Sequence, residues 1–158
     1  MYKVLVSITD ELQSRKQILR TAGVANIDEY NRNAEKKLYR IVFACDEIAE
    51  VLDKTGLSKQ QKDEILKIES ELSIIARQGR AFGIHLVLAT QRPDAAILNG
   101  QIRNNIDTRI CGRADNVLSQ IILDNTDASD KIAKSSQGRF LTNSGKIFQA
   151  YWFDENIL

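Results

Sequence analysis

Asp46 and Glu47 stand together, directly after the apolar run Ile41-Val42-Phe43-Ala44-Cys45. Adjacent residues at a strand end diverge, so two acids placed there can divide their work. The first can orient a magnesium ion through one of its waters. The second can polarise a water for attack on the γ-phosphate of a nucleoside triphosphate. Read alone, the same residues also describe a strand running into a helix whose first turn carries acids to suit its dipole. Gln91 follows a second apolar run, residues 84–89. An amide both donates to a phosphate oxygen and accepts from water, which suits a γ-phosphate sensor, although a polar residue closing a turn before Arg92-Pro93 is the plainer reading. Arg109 and Arg113 bracket a third apolar segment. Each guanidinium offers fork-like donors to phosphate, across a subunit interface or within one, or simply makes a surface ion pair. Lys146, beside a turn, has the same two readings.

Other chemistries are excluded. His85 is the only histidine and has no Cys/His cluster around it, so a zinc site has no ligands and a core-edge histidine is the simpler assignment. No Gly-x-Ser-x-Gly elbow is present for serine hydrolysis. No Gly-x-x-x-x-Gly-Lys-Ser/Thr loop occurs either. The carboxylates thus lack the backbone amides and lysine that cradle a triphosphate. The chain carries the second half of an ATPase site without the first.

The elements that must position these residues follow from periodicity. Leu12, Leu19 and Ala22 recur at helical spacing, and Gly23 supplies a stop. Asn26 with Glu29 predicts a capped short helix. Residues 38–45 form a continuous apolar run broken only by Arg40, which predicts a strand covered on both faces. Ser58 with Gln61 predicts a capping box for a long helix striped by Ile65, Ile68, Leu72, Ile75 and Phe82, ending at Gly83. Strands are predicted over 84–89 and around 108–112, with short helices near 96–104 and 116–124. A hairpin closes the chain, with strands over 139–142 and 146–153 about an Asn143-Ser144-Gly145 turn. Buried strands alternating with helices predict an α/β fold with a parallel sheet. Ligands then sit at the carboxyl ends of the strands, at Asp46-Glu47, Thr90-Gln91-Arg92 and Gly112-Arg113.

Composition sets the class. The 158 residues are 43% hydrophobic and 27% charged, the balance of a globular protein with a buried core. Lys and Arg number 22 against 21 Asp and Glu, a net charge of +1. Any nucleic-acid contact must therefore come from a local patch, for which Arg77, Arg80, Arg92 and Arg103 are candidates. Cys45 and Cys111 lie in apolar stretches and read as reduced, buried thiols. No apolar run approaches the ~20 residues that span a bilayer, and Met1-Tyr2-Lys3 does not open a signal peptide.

These motifs taken together resemble the FtsK/SpoIIIE family of RecA-like DNA translocases, nearly from end to end. The most specific stretch is Arg77-Gln78-Gly79-Arg80-Ala81-Phe82-Gly83-Ile84-His85-Leu86-Val87-Leu88-Ala89-Thr90-Gln91-Arg92-Pro93. Asn105-Ile106-Asp107-Thr108-Arg109-Ile110, Ile122-Leu123-Asp124 and the segment from Arg20 through Gly23-Val24 and Ile27 to Tyr30-Asn31 are similar to further family blocks. The family's glycine-rich stretch before its last strands is reduced here to Gly138-Arg139-Phe140. Arg109-Ile110-Cys111-Gly112-Arg113-Ala114-Asp115 looks most like members carried by conjugative elements of Gram-positive bacteria.

The resemblance implies a RecA-like P-loop fold, of which the chain would be the C-terminal portion. It would have N-terminal helices over about 9–36, a Walker B to sensor core over about 38–124 and a terminal hairpin over about 138–153. It implies ATP and magnesium as cofactors of the complete protein. Asp46 and Glu47 would be the Walker B pair, with Asp46 on magnesium through water, and Gln91 the sensor. Arg109 would act on a neighbouring subunit's nucleotide, and Arg113 and Lys146 would contact nucleotide. The implied partners are double-stranded DNA, a homo-oligomeric ring (a hexamer), and an upstream segment carrying the Walker A strand. A cytoplasmic location follows, with a membrane anchor left open elsewhere in the parent protein. Without its phosphate loop the isolated chain is expected to be inactive. A type VII secretion ATPase module and a non-catalytic docking module are the alternatives.

Overall fold

A buried stripe starts the first element. In α1 (Tyr2–Ala22), Leu5, Ile8, Leu12 and Leu19 fall on one helix face and are buried. Gly23 ends the helix with its N–H on the Arg20 carbonyl, and Val24 bonds the carbonyl of Leu19. Asn26 caps α2 (Ile27–Asn33) by accepting the Glu29 N–H. Glu29 reciprocates, accepting from the Asn26 side chain and from the Ala25 N–H. The computed structural model describes residues 1–91 and 100–151. They form two compact units, residues 1–91 with 100–106, and residues 107–151.

In the first unit β1 (Ile41–Cys45) leads into α3 (Ile48–Leu52) and then α4 (Lys59–Gln78). The predicted Ser58–Gln61 capping box is formed. Ile65, Leu72 and Ile75 are the buried stripe of α4, and Ile68 packs against them partly buried. Glu69 on the same helix is also buried, and its carboxylate accepts from Lys54 Nζ at 2.7 Å. A 3-10 turn (Arg80–Phe82) then delivers the chain to β2 (Ile84–Leu88). Two glycines make that junction possible. A Cβ on Gly79 would stand 2.6 Å from the Ile84 carbonyl oxygen, so the end of α4 and the start of β2 approach more closely than any side chain permits. Gly83 holds φ 72, and a Cβ there would meet Ile27 Cδ1 at 2.5 Å. Arg15, buried on α1, fastens the junction: its Nη1 donates to the Phe82 carbonyl at 2.9 Å and its Nε to Glu11 at 2.7 Å.

β1 and β2 pair in parallel, Ile41 opposite Ile84 through Cys45 opposite Leu88. The strand expected to be covered on both faces is covered on one. Ile41, Phe43, Cys45, Leu86 and Leu88 pack against the core supplied by α1, α3, α4 and Ile102 of α5 (Gly100–Arg103). On the other face Val42 is 61% exposed and Val87 54% exposed, with His85 half-buried beside them. The reason is that all the helices of this core lie on the same side of the sheet. Among the described residues β1 and β2 pair only with each other, so each keeps an open edge. Of the helix predicted near 96–104, residues 96–99 lie outside the described residues.

The second unit corrects the expectation of a third parallel strand. β3 (Ile110–Cys111) is two residues long and pairs antiparallel with β4 (Arg139–Thr142), Ile110 opposite Thr142 and Cys111 opposite Leu141. β4 continues into β5 (Ile147–Gln149) as the predicted hairpin. Residues 152 and 153, also assigned to its second strand, lie outside the described residues. Asn143 explains why β3 joins the hairpin. Its side-chain oxygen accepts the Arg109 N–H, its amide donates to the Asp107 carbonyl, and its own N–H donates to the Arg109 carbonyl. Phe140 and Phe148 stack across the hairpin with ring centroids 5.7 Å apart. α6 (Asn116–Leu123), capped by Asp115, and α7 (Asp127–Lys131) close a small core of Cys111, Leu123, Ala128, Ile132 and Leu141. Ser119, buried between them, donates to the Asn125 carbonyl and accepts from the Ala128 N–H.

Both cysteines are free thiols, and burial pushes both up from the ordinary thiol range. Cys111 is buried as expected. Cys45, at the end of β1, is only half-buried.

Candidate functional site

The carboxyl ends of β1 and β2 are stitched together past the last strand residues. Ala89 N–H donates to the Cys45 carbonyl, and Ile48 N–H donates to the Ala89 carbonyl, both at 2.9 Å. This stitching brings Asp46 and Glu47 beside Thr90 and Gln91, the juxtaposition expected from the strand-end rule. The two acids then part. Asp46 is exposed and makes no hydrogen bond or ion pair with the described residues. Glu47 is half-buried and turned back on the sheet end. Its Oε1 accepts from Thr90 Oγ1 at 2.5 Å and from the Ala49 N–H at 3.1 Å, and its Oε2 accepts from the Gln91 N–H at 2.9 Å. Gln91 itself is exposed.

Magnesium is a hard cation that keeps several waters and takes one or two carboxylates together with substrate phosphates. Asp46 fits that donor set, being an exposed carboxylate with no competing protein partner among the described residues. No group of three or more His, Cys, Asp or Glu able to hold a metal occurs among the described residues, so the remaining ligands would be water and phosphate oxygens.

The basic candidates belong to the second unit, where the side chains of Arg109 and Arg113 have partners and that of Lys146 has none among the described residues. Arg109, just before β3, is half-buried and forms an ion pair through Nη2 with Asp124 Oδ2 at 2.7 Å. Arg113 is exposed, with Nη1 donating to the Lys134 carbonyl at 2.9 Å. Lys146 is exposed immediately after the hairpin turn, where its backbone closes onto Thr142. Sequence reasoning grouped Thr90 with Gln91 as polar but gave it no role. It also gave none to Asp124, whose only signal was its place in a resembling block. Both partnerships join residues well separated in sequence.

No family model matches the chain. The DNA translocase FtsK of Chlorobaculum tepidum is 33% identical over 145 residues, 90% of this chain and 16% of that protein. FtsK of Chlamydia pneumoniae is 35% identical over 136 residues, 82% of this chain and 17% of its own length. The chain thus spans about a sixth of the curated relatives it matches. Among solved structures, the pCW3 conjugation coupling protein TcpA, in monomer form with ATPγS, superposes with a TM-score of 0.90 at 40% identity. That match covers 99% of this chain and 45% of TcpA. The cytoplasmic domain of the type VII secretion ATPase EccC from Thermomonospora curvata shares the fold alone, with a TM-score of 0.71 at 22% identity over 96% of this chain and 18% of its own.

Proposed function

The chain belongs to the FtsK/SpoIIIE family of DNA translocases, and we propose that it supplies the Walker B and sensor part of an ATP-driven motor moving double-stranded DNA. The observation that carries this reading is the meeting of Asp46, Glu47 and Gln91 at the joined ends of two parallel strands. The α/β fold is RecA-like, as in its structural neighbours.

Each residue has a distinct task in the proposed site. Bound magnesium would screen the phosphate charge, and Asp46 would hold it through water. Glu47 would polarise the attacking water. Gln91, attached to the Glu47 carboxylate through its backbone, would meet the γ-phosphate with its amide. Arg109 would reach the nucleotide of an adjacent subunit in a homo-oligomeric, hexameric ring, with Arg113 and Lys146 as further phosphate contacts. The phosphate cradle would come from an upstream segment. The open edge of β2 and the exposed Val42 and Val87 suit the addition of a strand and a covering layer. Identity of 40% to a conjugation coupling protein favours a conjugative-element role over chromosome segregation.

The test uses the full-length protein with double-stranded DNA. Glu47→Gln should keep ATP binding and stop turnover, leaving ATP trapped, because binding needs the cradle while hydrolysis needs the polarised water. Wild-type turnover by that variant would remove the Walker B assignment.

A further inference from the structure

A glutamate that activates water must keep its carboxylate plane fixed, and its three rotatable bonds work against this. Both Glu47 oxygens are gripped from the end of β2. Thr90 Oγ1 donates to Oε1 at 2.5 Å and the Gln91 N–H to Oε2 at 2.9 Å. Neighbouring donors on two different oxygens fix rotation about the last torsion of the side chain. The Ala49 N–H, at 3.1 Å from Oε1, holds the same oxygen from the first turn of α3. Of these three donors two belong to the backbone, and the third is the Thr90 side chain. Thr90 is half-buried, so water competes poorly for the bond.

From this geometry we infer that Thr90 is a positioning residue for Glu47 and ties the acid to the strand that carries Gln91. The inference rests on the reading of Glu47 as the water-polarising group. Threonine at this place supplies a hydroxyl on a stiff, β-branched stem whose χ1 has few choices, so the donor points in a set direction. Valine keeps that shape and loses the donor. Serine keeps the donor and loses a methyl group. Displacement of the sensor strand end would move the acid with it, because residues 90 and 91 each hold one of its oxygens.

The experiment compares DNA-stimulated ATPase kinetics of the full-length protein carrying Thr90→Val, Thr90→Ser or Glu47→Gln. Thr90→Val should lower kcat by about tenfold to a hundredfold, the worth of one hydrogen bond to a charged group, with KM for ATP little changed. Thr90→Ser should recover most of the rate, which a role in packing alone would not produce. The Thr90→Val/Glu47→Gln pair serves the unfolding cycle below, since Glu47→Gln leaves no turnover to lose. An unchanged kcat in Thr90→Val, while Glu47→Gln abolishes turnover, overturns the positioning role and leaves the reading of Glu47 intact. Normal turnover in Glu47→Gln overturns that reading and this inference with it. Should Thr90→Val fail to fold, Thr90→Ala takes its place in the rate comparison; the double-mutant cycle is read by urea unfolding of the 158-residue chain, once circular dichroism shows that the wild-type chain folds. Additive effects of Thr90→Val and Glu47→Gln there would show that the two side chains are not coupled, which also overturns the inference.

Discussion

Arg109 and Asp124 form an ion pair in which the acid is presented by an unusual backbone. Asp124 ends α6 with φ 61, the one positive φ outside glycine among the described residues, and its Oδ2 lies 2.7 Å from Arg109 Nη2. Aspartate tolerates this left-handed conformation better than most side chains. The Arg109 side chain is 18% exposed and that of Asp124 56% exposed, so solvent screens one end of the pair. Two other guanidinium nitrogens, Nε and Nη1, are buried with no hydrogen-bond partner. The pair therefore carries more of the cost of holding the arginine than its exposure suggests. Asp124→Asn keeps the backbone preference and removes the charge. It should lower stability by about 1 kcal/mol at low ionic strength, and by less at high salt. Urea unfolding at two salt concentrations measures this, and equal stability at low salt would show that the pair contributes nothing.

Release of Arg109 from Asp124 is what a role in the neighbouring subunit would require. Mixing full-length Arg109→Ala with Glu47→Gln subunits tests that role. A mixed ring contains interfaces at which an intact Arg109 faces an intact Glu47, and its ATPase rate should exceed that of either variant alone. Activity no higher than the better single variant, in rings shown by native mass measurement to be mixed, argues for a role within one subunit.

Gly83 combines a left-handed backbone with a close neighbour. Gly83→Ala would place a Cβ 2.5 Å from Ile27 Cδ1 and 3.5 Å from Arg15 Nη1, at φ 72. Gly145→Ala provides the control, since it shares a positive φ of 81 but has nothing within 4 Å. The control should cost about 1 kcal/mol, the strain of the left-handed region alone. Gly83→Ala should cost about 2–3 kcal/mol, because Ile27 of α2 must shift as well. Equal losses in thermal or urea unfolding would mean that Ile27 yields freely.

These local features were the legible ones. Ser58 with Gln61, Asn26 with Glu29, and the Asn143-Ser144-Gly145 turn each act over three or four residues, so their chemistry is visible in the chain itself. The strand-end placement of Asp46, Glu47 and Gln91 was legible too, because apolar runs of strand length end just before them. What escaped depends on distant partners. β3 is too short to announce an orientation, and Asn143, more than thirty residues on, decides it. An apolar run cannot reveal that only one of its faces is covered, which is why Val42 and Val87 were expected in a core. The grip of Thr90 on Glu47 spans 43 residues and needed the β1–β2 register to be seen.

DNA binding by the 158-residue chain should be weak and steeply salt-dependent. With a net charge of +1, attraction must come from a local patch, and affinity then falls with salt in proportion to the few phosphates contacted. Of the arginines expected to serve, Arg77 and Arg80 are exposed, whereas Arg103 is half-buried with its Nε enclosed and without a hydrogen-bond partner. Arg92 lies outside the described residues. On the proposed ring reading, a single chain also offers only one subunit's contacts and lacks the ring's avidity. Fluorescence anisotropy with a short duplex, at low and physiological salt, gives the slope of affinity against salt. Arg77→Ala and Arg80→Ala should each weaken binding to all sequences alike and reduce that slope by about one. Arg103→Ala should leave it unchanged. Tight, salt-insensitive binding by the chain would instead require a recognition surface other than these arginines.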